Sequence, residues 1–355
     1  METEIISIGS CQTAEQKAEV AKQLFYAGAI IRQGGLVAFP TETVYGLGGD
    51  ALNPKSAEKK YAAKGRPSDN PLIIHIADIT ALDYIVEKIP ENAKKLAAAF
   101  WPGPLTIIMK KSDRVPQQTT GGLDTVAVRM PNHPIALWLI REAGGYIAAP
   151  SANLSGKPSP TAAKYVMQDM RGRIDLILES DGGSIGLEST IVDVTSEVPL
   201  ILRPGYITQE MVSKVVGETD MDITIYDTHS KKAPKAPGMK YRHYAPKGQL
   251  VLVEGMPGQV VNYINAQTQK HRQNGRKTGV IGTEECISLY CADSVKNAGS
   301  REDPQMAAKQ LYLFLREFDD EAIEYIYAES FAGTQLGQAV MNRLLKAAGH
   351  KVVKV

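Results

Sequence analysis

A chain of 355 residues with 43% hydrophobic and 22% charged content exceeds what one hydrophobic core ordinarily serves, so two domains, or one large and one smaller, are expected. A formal net charge of +1 argues against a general polyanion binder, and no run of about 18 apolar residues is present to cross a membrane as a helix. The N-terminus lacks the basic-then-apolar pattern of a secretory signal, and three cysteines (Cys11, Cys286 and Cys291) suit neither a disulfide framework nor a zinc site, so the cytoplasm is the expected location.

In chain order, Thr13 with Gln16 has the spacing of a capping box. Val20, Leu24, Ala27 and Ile31 then recur at helical period until Gly34-Gly35. A buried strand is predicted at 36–39, followed by strands at 72–76, 105–109, 125–129, 146–149, 176–179 and 190–194, alternating with helical or loop stretches. The class is α/β. Long polar and glycine-rich connections favour a twisted, open, mixed sheet over a regularly doubly wound one. Residues 230–247 hold six cations, three prolines and no acidic residue, which is a basic linker composition. Strands at 250–254, 279–282 and 324–328, separated by helical segments, then make a smaller α/β unit. The expected domains are 1–229, a linker at 230–247, and 248–355.

The usual nucleotide motifs are missing: no Gly-rich loop ends in Gly-Lys-Ser/Thr, and Gly46, Gly48 and Gly49 miss the dinucleotide spacing. Cations crowd at 55–66, where Lys64 and Arg66 flank Gly65 at the end of a predicted helix. Two cations so placed are able to converge on phosphate oxygens, although charge alone favours a solvated helix face. PTETVYGLG (40–48) follows a strand and offers hydroxyls and a carboxylate beside permissive glycines; the alternative is a turn in which Thr41 or Thr43 merely caps. His75 lies inside an apolar run, where a satisfied core histidine is the ordinary occupant. Ser151-Ala152-Asn153, with Ser155, Lys157 and Ser159, forms a dense set of hydroxyl, amide and ammonium groups suited to an anion or an adenine edge; the alternative is an ordinary turn rich in Ser, Asn and Pro. Ser151 lacks the glycine spacing of a nucleophile elbow.

Eight segments in this order resemble the YrdC-type threonylcarbamoyl-AMP synthases in their longer, two-domain form. They are PTETVYGLG (40–48), KGRPSDNPL (64–72), WPGPLT (101–106), VAVRMP (126–131), APSANLSG (149–156), ESTIVD (188–193), RPG (203–205) and PGMKYRHYAP (237–246). The resemblance implies a YrdC-like catalytic domain with a concave, positively charged cavity, joined by a lid-like linker to a smaller Rossmann-like C-terminal domain. It implies carboxylation of L-threonine by bicarbonate, then attack of the carbamate on the α-phosphate of ATP with loss of pyrophosphate. Mg²⁺ would be carried by the ATP phosphates. The product would supply a downstream tRNA threonylcarbamoyl transferase complex; apart from the resemblance, a weak, transient tRNA contact stays open. Matched motif to motif, the resemblance assigns Lys64, Arg66, Asn70, Thr125, Ser151, Asn153, Ser159, Arg203, Arg242 and His243 to ATP, Lys64 and Arg66 being catalytic. It assigns Thr43, His75, Arg129, the backbone of Ala149, and Ser189 to L-threonine. The competing readings are an RNA-binding module and a carbamoyl transferase of the hydrogenase-maturation type; the latter family adds cysteine-rich zinc fingers, which this chain lacks.

Overall fold

The computed structural model describes residues 2–9, 13–180, 182–222, 236, 243–331 and 335–355. They fall into two compact units. One comprises Met1–Ser155, Ser159–Ser184 and Glu188–Lys240; the other comprises Gly156–Pro158, Ile185–Leu187 and Tyr241–Val355.

The first unit runs β1 (Glu4–Ser7), α1 (Ala14–Arg32), β2 (Val37–Phe39), β3 (Gly46–Asp50), α2 (Pro54–Lys64), β4 (Ile73–His75), α3 (Leu82–Ile85), α4 (Glu91–Phe100), β5 (Leu105–Lys110) and α5 (Gln117–Thr120). It continues through β6 (Thr125–Arg129), α6 (Pro134–Glu142), β7 (Ile147–Ala148), α7 (Ala163–Met170), β8 (Leu176–Glu179), β9 (Thr190–Asp193), β10 (Leu200–Arg203), α8 (Gln209–Val216) and β11 (Asp220–Met221). Among the described residues these strands form one sheet in the order β1-β8-β2-β3-β7-β4-β6-β5-β9-β10-β11. Parallel pairs (β4 with β6, β5 with β9) alternate with antiparallel ones (β5 with β6, β9 with β10), so the sheet is mixed.

Helix α1 begins on the expected capping box: Thr13 Oγ1 accepts from the Gln16 amide at 3.2 Å, and Gln16 Oε1 accepts from the Thr13 amide at 3.1 Å. Its stripe of Val20, Leu24, Ala27 and Ile31 is buried against α6 residues Leu139 and Ile140 and against Val37 and Phe39 of β2. Strand β3 is the main departure from the sequence reading, because its glycines suggest a loop. Gly48 is extended by its antiparallel pairing with Val37 of β2, and it is glycine because a Cβ would lie 2.8 Å from Ile147 and 2.9 Å from the Phe39 ring, where neighbouring side chains fill the space a residue of higher strand propensity would need.

Alternation in the central strands decides the location of the polar groups. Ile74 of β4, Ile107 of β5, Val126 and Val128 of β6, and Val192 of β9 share a core with Leu96 of α4 and Val212 of α8. With a side-chain period of two, the opposite face must receive Ile73 and His75, Thr106 and Ile108, Thr125, Ala127 and Arg129, and Ile191. The apolar members of that set do form a separate small cluster, Ile73, Ile108, Ala127, Ile191 and Leu202, joined by Ala236.

The second unit contains β12 (Gln249–Glu254), α9 (Pro257–Gln273), β13 (Thr278–Gly282), β14 (Ser294–Asn297), α10 (Gln305–Asp320), β15 (Tyr325–Glu329), α11 (Gln335–Ala347) and β16 (Val352–Lys354). Its strands are all parallel, in the order β14-β13-β15-β12-β16, a Rossmann-like α/β arrangement. No helix among the described residues is long and apolar enough to cross a membrane.

Gly28 of α1 faces Glu142 at the end of α6, where an added Cβ would sit 2.6 Å from the Glu142 Cβ and 2.7 Å from its carbonyl. Gly28→Ala is expected to lower the free energy of unfolding by about 1–3 kcal/mol, because two helix backbones must separate. Gly258→Ala in α9, with nothing within 4 Å of the added methyl, is expected to raise stability by up to about 1 kcal/mol. Urea midpoints of the two variants, measured side by side, check both.

Candidate functional site

The sheet face left by the alternation carries more than its apolar floor. Arg129 closes β6 and pairs in register with His75 at the end of β4 and with Thr106 at the start of β5. Arg203 would face the helices if β10 ran regularly. Instead Ile201 pairs with Val192 and Arg203 with Ile191, leaving Leu202 as an extra residue. This bulge turns Arg203 onto the face of Ile191, the same face as Arg129.

At one end of this face the Arg129 guanidinium is held on three sides. Nη1 donates to Thr43 Oγ1 at 3.0 Å, Nε to the Gly103 carbonyl at 3.3 Å, and Nη2 lies 2.7 Å from Glu42 Oε1. Thr43 and Thr41 exchange a hydroxyl contact at 2.9 Å. All four side chains are buried. Burial alone would raise the Glu42 carboxyl, but Arg129 and the Asn132 amide outweigh it and hold the group below its ordinary pKa, so it is ionised. His75 sits edge-on to Phe39 with Nδ1 3.1 Å from the Ile73 carbonyl; burial and then Arg129 push its pKa down to about 3, which makes it a neutral imidazole. The Ala149 amide donates to the Ile73 carbonyl, which ties the end of β7 to the strand carrying His75.

Ser189 precedes β9, and its hydroxyl lies 2.7 Å from Thr106 Oγ1. Arg203 donates through Nη2 to the same hydroxyl at 3.1 Å and through Nε to the Ser189 carbonyl at 3.0 Å. Ser159 donates to Glu188 Oε1 at 2.6 Å. Thr125 lies on the face of Arg129 but at the opposite end of β6, about 13 Å along a five-residue strand.

Helix α2 is not the solvated basic face that charge alone would allow. Lys55 and Lys59 are exposed, but Lys60 and Lys64 are buried. The helix stops at Gly65, whose φ of 61° and ψ of 38° are left-handed and suit glycine. Lys64 Nζ donates to the carbonyls of Ser151 and Asn153, and the Ser155 amide donates back to the Lys64 carbonyl at 2.9 Å. Ser151 Oγ in turn donates to Asn153 Oδ1 at 2.5 Å. Arg66, half-buried, donates to the carbonyls of Asn70 and Pro71 at 3.3 Å and 3.1 Å and so closes the loop after the helix. Asn70 is buried, and its Oδ1 has no hydrogen-bond partner among the described residues.

The structure thus gathers Thr43, His75 and Arg129 in one cluster, Ser189 and Arg203 in a second, and Lys64 with Ser151 and Asn153 in a third, all in the first unit. Arg242 lies outside the described residues. His243 belongs to the second unit, its ring tilted against Tyr244 at 5.6 Å. Thr106, Glu188 and Lys60 fall within segments singled out in the sequence but receive no role from it. Thr106 carried a signal, a polar residue at an alternate position in the apolar run LTIIMK; Glu188 and Lys60 carried none that distinguishes them from surface charges.

Comparisons with known proteins bear on this arrangement. A family model for the Sua5/YciO/YrdC domain, described as telomere recombination, matches residues 29–205. A second, described as the C-terminal domain of threonylcarbamoyl-AMP synthase, matches residues 207–349. The chain is 49% identical to the threonylcarbamoyl-AMP synthase of Bacillus subtilis over 94% of either chain. It is 48% identical to that of Pyrococcus abyssi over 93% of this chain and 95% of the relative. The crystal structure of P. abyssi Sua5 complexed with L-threonine superposes with a TM-score of 0.92 at 46% identity, covering 99% of this chain and all of that one.

Lys60 yields a prediction independent of any ligand. Its ammonium donates to the carbonyls of Gly49 and Ala148 at 3.2 Å and 3.0 Å, yet burial lowers its pKa from 10.5 to about 7, with Asp50 opposing the shift. Between those values the unfolded chain holds a proton that the folded chain has released, so this group makes stability rise with pH across the window. Lys60→Met is expected to flatten that rise. The difference between urea midpoints at about pH 7.5 and about pH 9.5 should be smaller in the variant than in the parent protein.

Proposed function

This chain belongs to the Sua5/YciO/YrdC family in its two-domain, threonylcarbamoyl-AMP synthase form, and from that premise we infer that it joins L-threonine, bicarbonate and ATP into threonylcarbamoyl-AMP. In balance, the threonine amino group attacks bicarbonate carbon and expels water to give a carbamate. A carbamate oxygen then attacks the α-phosphorus, and the bond to pyrophosphate breaks. The carbamate is itself the nucleophile, so the protein need supply only position and charge.

In this reading Thr43, His75, Arg129, the Ala149 backbone and Ser189 receive threonine, the planar Arg129 guanidinium taking the carboxylate. Lys64, Arg66, Asn70, Thr125, Ser151, Asn153, Ser159 and Arg203 receive the nucleotide, with Arg242 and His243 of the linker segment added. Lys64 and Arg66 are the catalytic cations, stabilising charge that develops on the α-phosphate and the leaving pyrophosphate. Mg²⁺ enters on the ATP phosphates. The domain limits proposed with it are 1–229, 230–247 and 248–355. The product then passes, in the cytoplasm, to an enzyme complex that modifies tRNA, with direct tRNA contact at most weak.

The observation that carries the reading is the sharing of one sheet face by Arg129, His75, Ser189 and the bulge-turned Arg203. A neutral imidazole and hydroxyls suit an uncharged alcohol, and the cations suit carboxylate and phosphate.

The purified protein is expected to release pyrophosphate from ATP only when L-threonine and bicarbonate are both present. Release supported instead by carbamoyl phosphate, or no release at all, overturns the proposal. Lys64→Ala and Arg66→Ala, made separately, are each expected to lower the rate by at least about 100-fold while far-UV circular dichroism is unchanged. A near-parental rate in either variant removes that residue from the catalytic role.

A further inference from the structure

Glu42 has no part in the scheme above, yet it is among the most constrained charges in the first unit. It is 5% exposed, and Arg129 is 4% exposed. Its Oε1 lies 2.7 Å from Arg129 Nη2, the Asn132 amide is its other support, and both carboxylate oxygens are shut off from solvent. A buried carboxylate in that condition is expensive to keep. Orienting Arg129 does not account for it, because Thr43 Oγ1 and the Gly103 carbonyl already hold two other guanidinium nitrogens.

The net charge of the cluster offers a reason. His75 is neutral, and burial lowers the pKa of nearby His133 even though Glu42 pulls it upward. Glu42 and Arg129 then cancel. Without Glu42, this end of the face would carry a net positive charge in a poorly solvated setting, and a ligand bearing only a carboxylate would be favoured over one that brings its own ammonium.

We propose that Glu42 is a specificity-determining residue that, by cancelling the charge of Arg129, tunes this end of the site to a zwitterionic amino acid and against the corresponding carboxylate anion. The inference rests on the reading of Arg129 as the receptor for the amino-acid carboxylate. Both carboxylate oxygens of Glu42 are inaccessible, so the effect is one of field and needs no contact with the ligand.

The test is calorimetric titration of the full chain with L-threonine and with (2S,3R)-2,3-dihydroxybutanoate, which carries a hydroxyl in place of the ammonium. The parent protein is expected to prefer threonine, and Glu42→Gln, which keeps shape and removes charge, to reduce that preference by roughly tenfold or more. A parallel loss of affinity for both ligands, or no change in either, overturns the inference and leaves the site assignment standing. Glu42→Asp, which keeps the charge, is expected to retain the preference even if both ligands bind more weakly; loss of preference there also overturns it. Failure of the parent protein to bind threonine overturns the site assignment itself, and the inference with it.

Discussion

The two-residue period of the central strands is the constraint from which the rest follows. Once Ile74, Ile107, Val126, Val128 and Val192 are committed to the helix-covered core, His75, Thr106, Thr125 and Arg129 have no choice of side. A one-residue slip would bury the Arg129 guanidinium among aliphatic side chains and turn Val128 outward. The packing energy that fixes the register therefore also fixes the site. The single position where alternation gives the wrong side, Arg203, is corrected by a bulge, and the extra residue Leu202 joins the apolar floor.

Gathering cations on a half-buried face carries an electrostatic penalty, and the fold meets it with backbone carbonyls as much as with carboxylates. Lys64 is held by the carbonyls of Ser151 and Asn153, Lys60 by those of Gly49 and Ala148, and Arg203 by that of Ser189. A carbonyl dipole satisfies a buried donor without itself carrying a formal charge. Arg129 is treated differently, since Glu42 neutralises it outright.

The bonds to Lys64 also couple segments far apart in the chain. Helix α2 is tied through Nζ to the turn at 151–153, and the Ser151 backbone bridges to Gly46, the first residue of β3, just after the loop that holds Thr41, Glu42 and Thr43. The Ala149 amide links the same stretch to β4 and His75. Three motifs separated by as much as about 100 residues thus form one bonded scaffold, and a shift in any of them is felt by the others.

Much of this was legible in the sequence. The capping box at Thr13, the apolar stripe of α1, the bounds of β6 and β8, and the mixed α/β class followed from local chemistry: hydrogen-bonding capacity at a helix start, and burial at a period of two in strands or 3.6 in helices. The ordered motifs identified the family, because motif order survives where no single motif is decisive. Strand β3 was not legible, since what makes a strand of glycines there is the ring of Phe39 and the side chain of Ile147, which lie elsewhere in the chain. Nor was the difference between Lys59 and Lys60, adjacent and chemically identical, one exposed and the other buried beneath β3 and β7. The turning of Arg203 and the pairing of Glu42 with Arg129 likewise depend on registers between strands and loops that no local pattern encodes. The sequence by itself determined which residue types and motifs were present and which elements they favour, because those are properties of neighbours in the chain. Only the tertiary structure decided which charges face one another and which are cancelled, because burial and Coulomb energy depend on distance in space.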